Sequence, residues 1–208
     1  MTLSARLRHD LAARLRHDMT NDGIAAPPFF VVTGGPGSGK STLLAALAGE
    51  GLTTMPEAGR AIIREQVAIG GAALPWADRA LFAELMLAAD IRTYREAQAA
   101  PGPVLFDRGV PDVVGYLELS GLPVPLHAMA AARAFRYAPR VFIAPPWPEI
   151  FAQDGERKQS PEEAEATCRA MVEVYTGLGY DLLTLPRAPL PERVRFVLAE
   201  IGGLTAGP

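Results

Sequence analysis

Residues 34–42 read GGPGSGKST and directly follow the apolar run FFVVTG at 29–34. Gly34 to Ser41 satisfies G-x-x-x-x-G-K-[ST] at every fixed position, between a strand-like run and a helix-like segment, the context that gives this motif its meaning. Glycines let the backbone turn tightly and aim successive N–H groups at phosphate oxygens. The following helix adds its positive N-terminal end. Gly34, Gly35, Pro36, Gly37, Ser38, Gly39, Lys40, Ser41 and Thr42 are therefore the expected nucleotide cradle. Lys40 would reach the β- and γ-phosphates of ATP, and the Ser41 hydroxyl would bind Mg²⁺.

A phosphate loop of this kind needs a parallel sheet behind it, and the remaining sequence supplies the pattern. Short apolar runs occur at FFVVTG (29–34), LTTMPE (52–57), PVLFDR (103–108), RVFIAP (140–145) and DLLTLP (181–186). Segments with helical spacing lie between and after them, at 40–49, 57–70, 75–99, 111–119, 125–137, 161–178 and 191–201. Strands alternating with helices predict an α/β fold with a parallel sheet covered on both faces. Right-handed crossovers leave the active edge at the carboxyl ends of the strands.

Three of those ends carry charge. Asp107 closes the third run and is placed to support Mg²⁺, directly or through water; a carboxylate beside a divalent cation stays ionised. It is followed by Arg108, a planar fixed cation suited to gripping a phosphate or an anionic substrate, where a water-activating ATPase would carry Glu. Asp112 begins the next helix and could cap it or reach a substrate hydroxyl. Glu57 follows the second run, where it could take a proton from an acceptor hydroxyl during transfer or simply favour a helix N-terminus. Arg60 comes one helical turn later on the same side. After the fourth run, DGERKQSPEE (154–163) pairs a turn and the cations Arg157 and Lys158 with the capping-box spacing of Ser160 and Glu163. It reads either as a lid closing over ATP or as a solvated loop.

The chain of 208 residues is long enough for one α/β domain with a proper core. Its 49% hydrophobic and 21% charged residues fit a globular protein, and its net charge of −3 gives no basic field for nucleic acid or an anionic membrane. Cys168 is the only cysteine, which excludes an intrachain disulfide and fits a reducing interior; its helical context suggests buried filler. No run approaches the roughly 18 apolar residues of a membrane span, and no apolar signal core follows the basic N-terminus, so a cytoplasmic location is expected. Residues 4–11 (SARLRHDL) and 12–19 (AARLRHDM) form a tandem repeat containing Arg6, Arg8, Arg14 and Arg16. It is either a basic helical arm for an acidic partner or a duplicated tail, with Met19 as an alternative beginning. With the breaker-rich linker that follows, residues 1–28 are expected to precede a P-loop domain spanning 29–208.

Taken as an ordered set, GGPGSGKST, PEAGR, FDRGVPDVVGY, DGERKQ and YTGLGYDLLTLP with PERVRFVL resemble a family of small P-loop AAA-type predicted ATPases or kinases. That family includes the ribosylnicotinamide kinase domain of NadR-like proteins, and the resemblance runs from about Phe29 to Ile201. It implies a P-loop NTPase fold of nucleoside/nucleotide-kinase type, with a central parallel sheet of five strands, flanking helices and a lid. The layout is also similar to deoxynucleoside kinases, which place a catalytic Glu after the second strand and an acidic-Arg pair after the third. On that likeness Glu57 is the base, Asp107 the Mg²⁺ partner, Arg108 the phosphate contact and Arg157 the lid cation. The expected activity is ATP- and Mg²⁺-dependent phosphoryl transfer to a hydroxyl of a small, nucleoside-like molecule. A regulatory ATPase acting on a protein, or a kinase modifying an antibiotic or sugar nucleotide, are the alternatives. Trp76, Phe82 and Tyr116 could stack on an acceptor ring or belong to the core.

Overall fold

The computed structural model describes residues 29–150 and 160–205. The tandem repeat and the linker of residues 1–28 fall outside the described residues, as does most of the lid segment. Five strands, β1 (Phe29–Gly34), β2 (Thr53–Met55), β3 (Val104–Asp107), β4 (Arg140–Ala144) and β5 (Asp181–Thr184), form one sheet in the order β2-β3-β1-β4-β5. All four pairings are parallel, with Phe29 opposite Val104 and Val32 opposite both Asp107 and Phe142. The helices are α1 (Lys40–Gly49), α2 (Ala58–Ile69), α3 (Arg79–Ala97), α4 (Val110–Leu119), α5 (Leu126–Ala134), α6 (Pro161–Gly177) and α7 (Leu190–Thr205).

The strand period of two divides the core between the two sheet faces. Phe29, Val31, Val104, Phe106, Val141 and Ile143 face one side, packed with Tyr94, Tyr137, Met171 and Tyr175. Phe30, Val32, Leu105, Phe142 and Ala144 face the other, against Leu43 and Leu47 of α1 and Val197 of α7. Aromatic edges lock the first side, with the Phe29 and Tyr94 rings 5.0 Å apart and Phe106 and Tyr137 5.2 Å apart. A third cluster joins α3, α4 and α5 through Leu87, Val113, Leu117 and Ala128. Each large apolar side chain buried here contributes about 1.5–3 kcal/mol.

Every expected strand and helix is present, and the differences lie at their ends. β2 stops at Met55, because Pro56 has no N–H to extend the ladder. α3 begins at Arg79 and not at Pro75, because the Asp78 carboxylate caps it by accepting from the Leu81 N–H at 2.9 Å. α5 ends at Ala134, releasing Tyr137 into the sheet core, where its backbone N–H donates to the Tyr180 hydroxyl. Cys168 is buried with its thiol against the Ala144 carbonyl, and burial pushes its pKa up. Among the described residues no helix is long and apolar enough to cross a membrane.

Candidate active site

β1 is the central strand, and its last residue begins the phosphate loop. Gly34 has φ 121°, and a Cβ there would meet the Ala144 carbonyl oxygen at 2.3 Å, so only glycine allows β1 and β4 to approach this closely. Gly39, with φ 72°, turns the chain into α1 as its N-cap. Ser38 steadies the loop by donating to the Gly35 carbonyl at 2.8 Å. Lys40 is buried, and its ammonium donates to the carbonyls of Gly34 and Gly35 and to the Ser38 hydroxyl. Pro36 is buried, Gly37 sits at φ 69°, and Thr42 is exposed in the first turn of α1.

Ser41 donates to Asp107 Oδ2 at 3.0 Å, joining the start of α1 to the end of β3. The other oxygen, Asp107 Oδ1, is buried without a hydrogen-bond partner. Burial raises the Asp107 pKa and Glu57 adds to it, while Lys40, Arg108 and the Ser41 hydrogen bond hold it down. A hydroxyl beside an orphaned carboxylate oxygen is a hard-oxygen donor pair of the kind Mg²⁺ takes, with phosphate and water oxygens completing its shell. The residues therefore fit that cation. Among the described residues no cluster of three His, Cys, Asp or Glu forms a protein-only metal site.

Glu57 stands at the N-cap position of α2 but makes no side-chain cap bond. Its carboxylate instead meets Arg108 Nε at 3.3 Å and Arg60 Nε at 3.6 Å. Because β2 adjoins β3, Glu57 and Asp107 share one rim of the sheet with the phosphate loop. Arg108 has φ 70°, a left-handed backbone that non-glycine residues seldom adopt. Its N–H still reaches the Val32 carbonyl at 3.0 Å. Burial opposes its charge, but Glu57, Asp112 and Asp107 outweigh burial and raise its pKa.

Asp112 is buried and saturated. It accepts from the N–H of Gly109, the N-cap of α4, at 2.9 Å, and also from Thr33, from Tyr175 at 2.7 Å and from Arg108 at 3.1 Å. Capping and the orientation of Arg108 thus account for this residue, although it also borders the cavity described next.

Beyond this rim opens a cavity of about 630 Å³ between α2, α3, α4 and α6. Glu57, Arg108, Asp112 and Asp90 form a polar end, and Ile63, Trp76, Phe82, Met86 and Tyr116 form an apolar wall. Trp76 is 64% exposed and free to cover a ligand, whereas Phe82 is 3% exposed and braced against Tyr116 with rings 5.5 Å apart. Asp90 was not evident from sequence. Burial pushes its carboxyl pKa well up, reinforced by Asp112 and Glu57 and partly offset by Arg108. The available signal was positional: Phe82, Met86 and Asp90 recur every four residues on one face of α3, so an acid sits in an apolar stripe. Arg157 lies outside the described residues. The expected capping box just after it is present, with the Ser160 N–H donating to Glu163 at 2.7 Å and the Glu163 N–H to the Ser160 hydroxyl at 3.2 Å.

Residues 29–193 match the model of a family described as an AAA domain. No curated protein sequence matches the chain. Among solved structures, a NadR protein in complex with NR aligns with a TM-score of 0.64 at 18% identity, over 85% of this chain and 52% of that one. The chain thus spans about half the length of the NadR structure. A deoxyadenosine kinase from M. mycoides with dCMP and dCDP bound aligns at 0.59 and 13% identity, over 84% of this chain and 99% of that one. A shikimate kinase from Acinetobacter baumannii in complex with shikimate aligns at 0.55 and 14%, over 87% and 96% respectively. At these identities the likeness establishes the fold, which this chain shares with these three proteins.

Proposed function

The chain belongs to the AAA domain family, and we propose that it is an ATP- and Mg²⁺-dependent phosphotransferase acting on a hydroxyl of a small, nucleoside-like molecule. The observation that carries this reading is one continuous edge. Lys40 and Ser41 follow the end of β1, Asp107, held to Ser41 at 3.0 Å, ends β3, and Glu57 follows β2 on the same rim, where with Arg108 at 3.3 Å it borders a cavity large enough for a nucleoside. In this reading the loop amides and Lys40 hold the donor phosphates. Ser41 and Asp107 would hold Mg²⁺, which when bound neutralises charge on the phosphates. Glu57 accepts the acceptor's hydroxyl proton as the new O–P bond forms and the bond between the β- and γ-phosphoryl groups breaks, releasing ADP. Arg108, kept protonated by its carboxylate neighbours, steadies the charge on the moving phosphoryl, and Arg157 does the same from the lid. Arg60 and Asp112 set the positions of Glu57 and Arg108 at the acceptor end.

Transfer is favoured over hydrolysis because Asp107 is followed by Arg108, so no second carboxylate at that strand end can activate water. The apolar wall of the cavity suits a ring, with Trp76 over it, and the polar end suits its hydroxyls. We assign catalysis to a domain over residues 29–208, with 1–28 as an appended arm, in the cytoplasm. The test is a purified-protein screen that follows the γ-phosphate of ATP, with Mg²⁺, onto a panel of nucleosides, vitamins and antibiotics. Label on an acceptor hydroxyl is expected. Label released only as inorganic phosphate, or turnover stimulated by a protein and by no metabolite, would overturn the proposal.

A further inference from the structure

Behind the phosphate loop, on the side away from the cavity, lies an arginine that none of the roles above uses. Arg193, in the first turns of α7, is 3% exposed. Its Nη2 donates to the Ser38 carbonyl at 3.1 Å and its Nη1 to the Gly39 carbonyl at 3.5 Å. The guanidinium lies 5.6 Å from the ring centre of Trp147, just ahead of the lid segment. A Cβ on Gly39 would come within 2.7 Å of Nη1, so the loop fits directly onto this side chain. No carboxylate pairs with it among the described residues, its Nε has no hydrogen-bond partner, and burial pulls its pKa down.

A buried cation without a counter-charge is costly to the unliganded fold. The geometry here says what offsets that cost. In a trans peptide the C=O and N–H point in opposite directions. Cationic donors on the Ser38 and Gly39 carbonyls therefore turn the Gly39 and Lys40 N–H groups away from Arg193 and polarise them as donors. We propose that Arg193 is a positioning residue of the phosphate cradle: it aligns and polarises the Gly39 and Lys40 amides for a nucleotide polyphosphate, whose negative charge in turn compensates the buried guanidinium. The inference rests on the nucleotide-binding reading above and adds to it a residue on the opposite side of the loop. It also separates this arginine from a packing clamp, because the two roles predict opposite effects on the unliganded protein.

The test uses the full chain with Arg193→Met, which keeps the side-chain bulk without charge, and Arg193→Lys, which keeps the charge without the fork. Melting temperatures are measured with and without MgADP, and ADP affinity by calorimetry. The Met variant should melt at or above the wild-type temperature when unliganded, yet bind ADP about tenfold to a hundredfold more weakly, the scale of losing a charged hydrogen-bond donor. The Lys variant should stay within about threefold of wild type in ADP affinity, since the charge is the larger part of the effect. A Met variant that melts several degrees lower but binds ADP as the wild type does would make Arg193 a clamp and overturn the proposal. Should the Met variant fail to fold, a tenfold loss in the Lys variant would overturn it equally. A wild-type chain that binds no ADP would remove the nucleotide reading itself, a result distinct from equal binding by wild type and variant.

Discussion

Replacing Glu57 with glutamine removes one negative charge at nearly constant volume, and the structure sets the size of the consequences. The carboxylate is held by Arg108 at 3.3 Å and Arg60 at 3.6 Å, with its side chain 12% exposed. Those attractions are opposed, because the same charge raises the pKa of both Asp107 and Asp90. Arg108 also keeps Asp112 at 3.1 Å and so is not left alone. Relief of repulsion offsets part of the lost attraction, so the net loss of stability should stay below the roughly 3–5 kcal/mol that removing one partner of a buried pair costs. At about 2–4 °C per kcal/mol for a domain of this size, Tm should fall by less than roughly 12 °C. ADP affinity should stay within about twofold, since Glu57 follows β2 and is not itself part of the phosphate loop. Phosphoryl transfer to whichever acceptor the screen identifies should fall by about 10²-fold or more, the contribution of a general base. The assay pairs single-turnover transfer of the ATP γ-phosphate with calorimetric titration of ADP. Transfer at the wild-type rate, or a loss matched by an equal loss of ADP affinity, would refute the base assignment.

Lys40→Ala should abolish transfer and weaken ATP binding, measured by the same two assays, because it removes the ammonium now held against the Gly34 and Gly35 carbonyls. Gly34→Ala should destabilise the fold by about 3 kcal/mol, since the new methyl would meet the Ala144 carbonyl; thermal unfolding should show Tm lower by roughly 6–12 °C. Cys168 should resist thiol reagents at neutral pH and react on denaturation, because burial keeps its thiol protonated and covered; prompt reaction of the folded chain would contradict this. Deleting residues 1–20 should leave transfer within about twofold, as the sheet has its own core without them. A larger loss would mean that the arm docks on the domain.

What the sequence revealed, and what it hid, follows from the distance along the chain over which each feature is encoded. The P-loop is contiguous, and the five apolar runs mark their strands through neighbouring residues alone, so both could be read directly. Helix ends depended on single competing groups. Asp78 captured the Leu81 N–H, and α3 began there despite apolar residues from Pro75 onward. The buried network was harder to foresee. Thr33 and Asp112 are 79 positions apart, Tyr175 and Asp112 are 63 apart, and Arg193 reaches Gly39 across 154. Asp112 could be read as a cap or as a substrate ligand, because its helix position was visible while its three side-chain donors were not. Asp90 was hidden for a related reason, since an acid on an apolar stripe acquires meaning only once the stripe is known to face a cavity.

In the proposed reaction Glu57, Asp107 and Lys40 act on a single phosphoryl group. Crystals of the chain with ADP, Mg²⁺, aluminium fluoride and the acceptor test it most directly, because the fluoride complex mimics the phosphoryl in flight. The metal is expected on Ser41 and Asp107, Lys40 against the fluoride group, and the Glu57 carboxylate within hydrogen-bond reach of the attacking hydroxyl. Glu57 turned away from that hydroxyl, or the metal held by other residues, would contradict it.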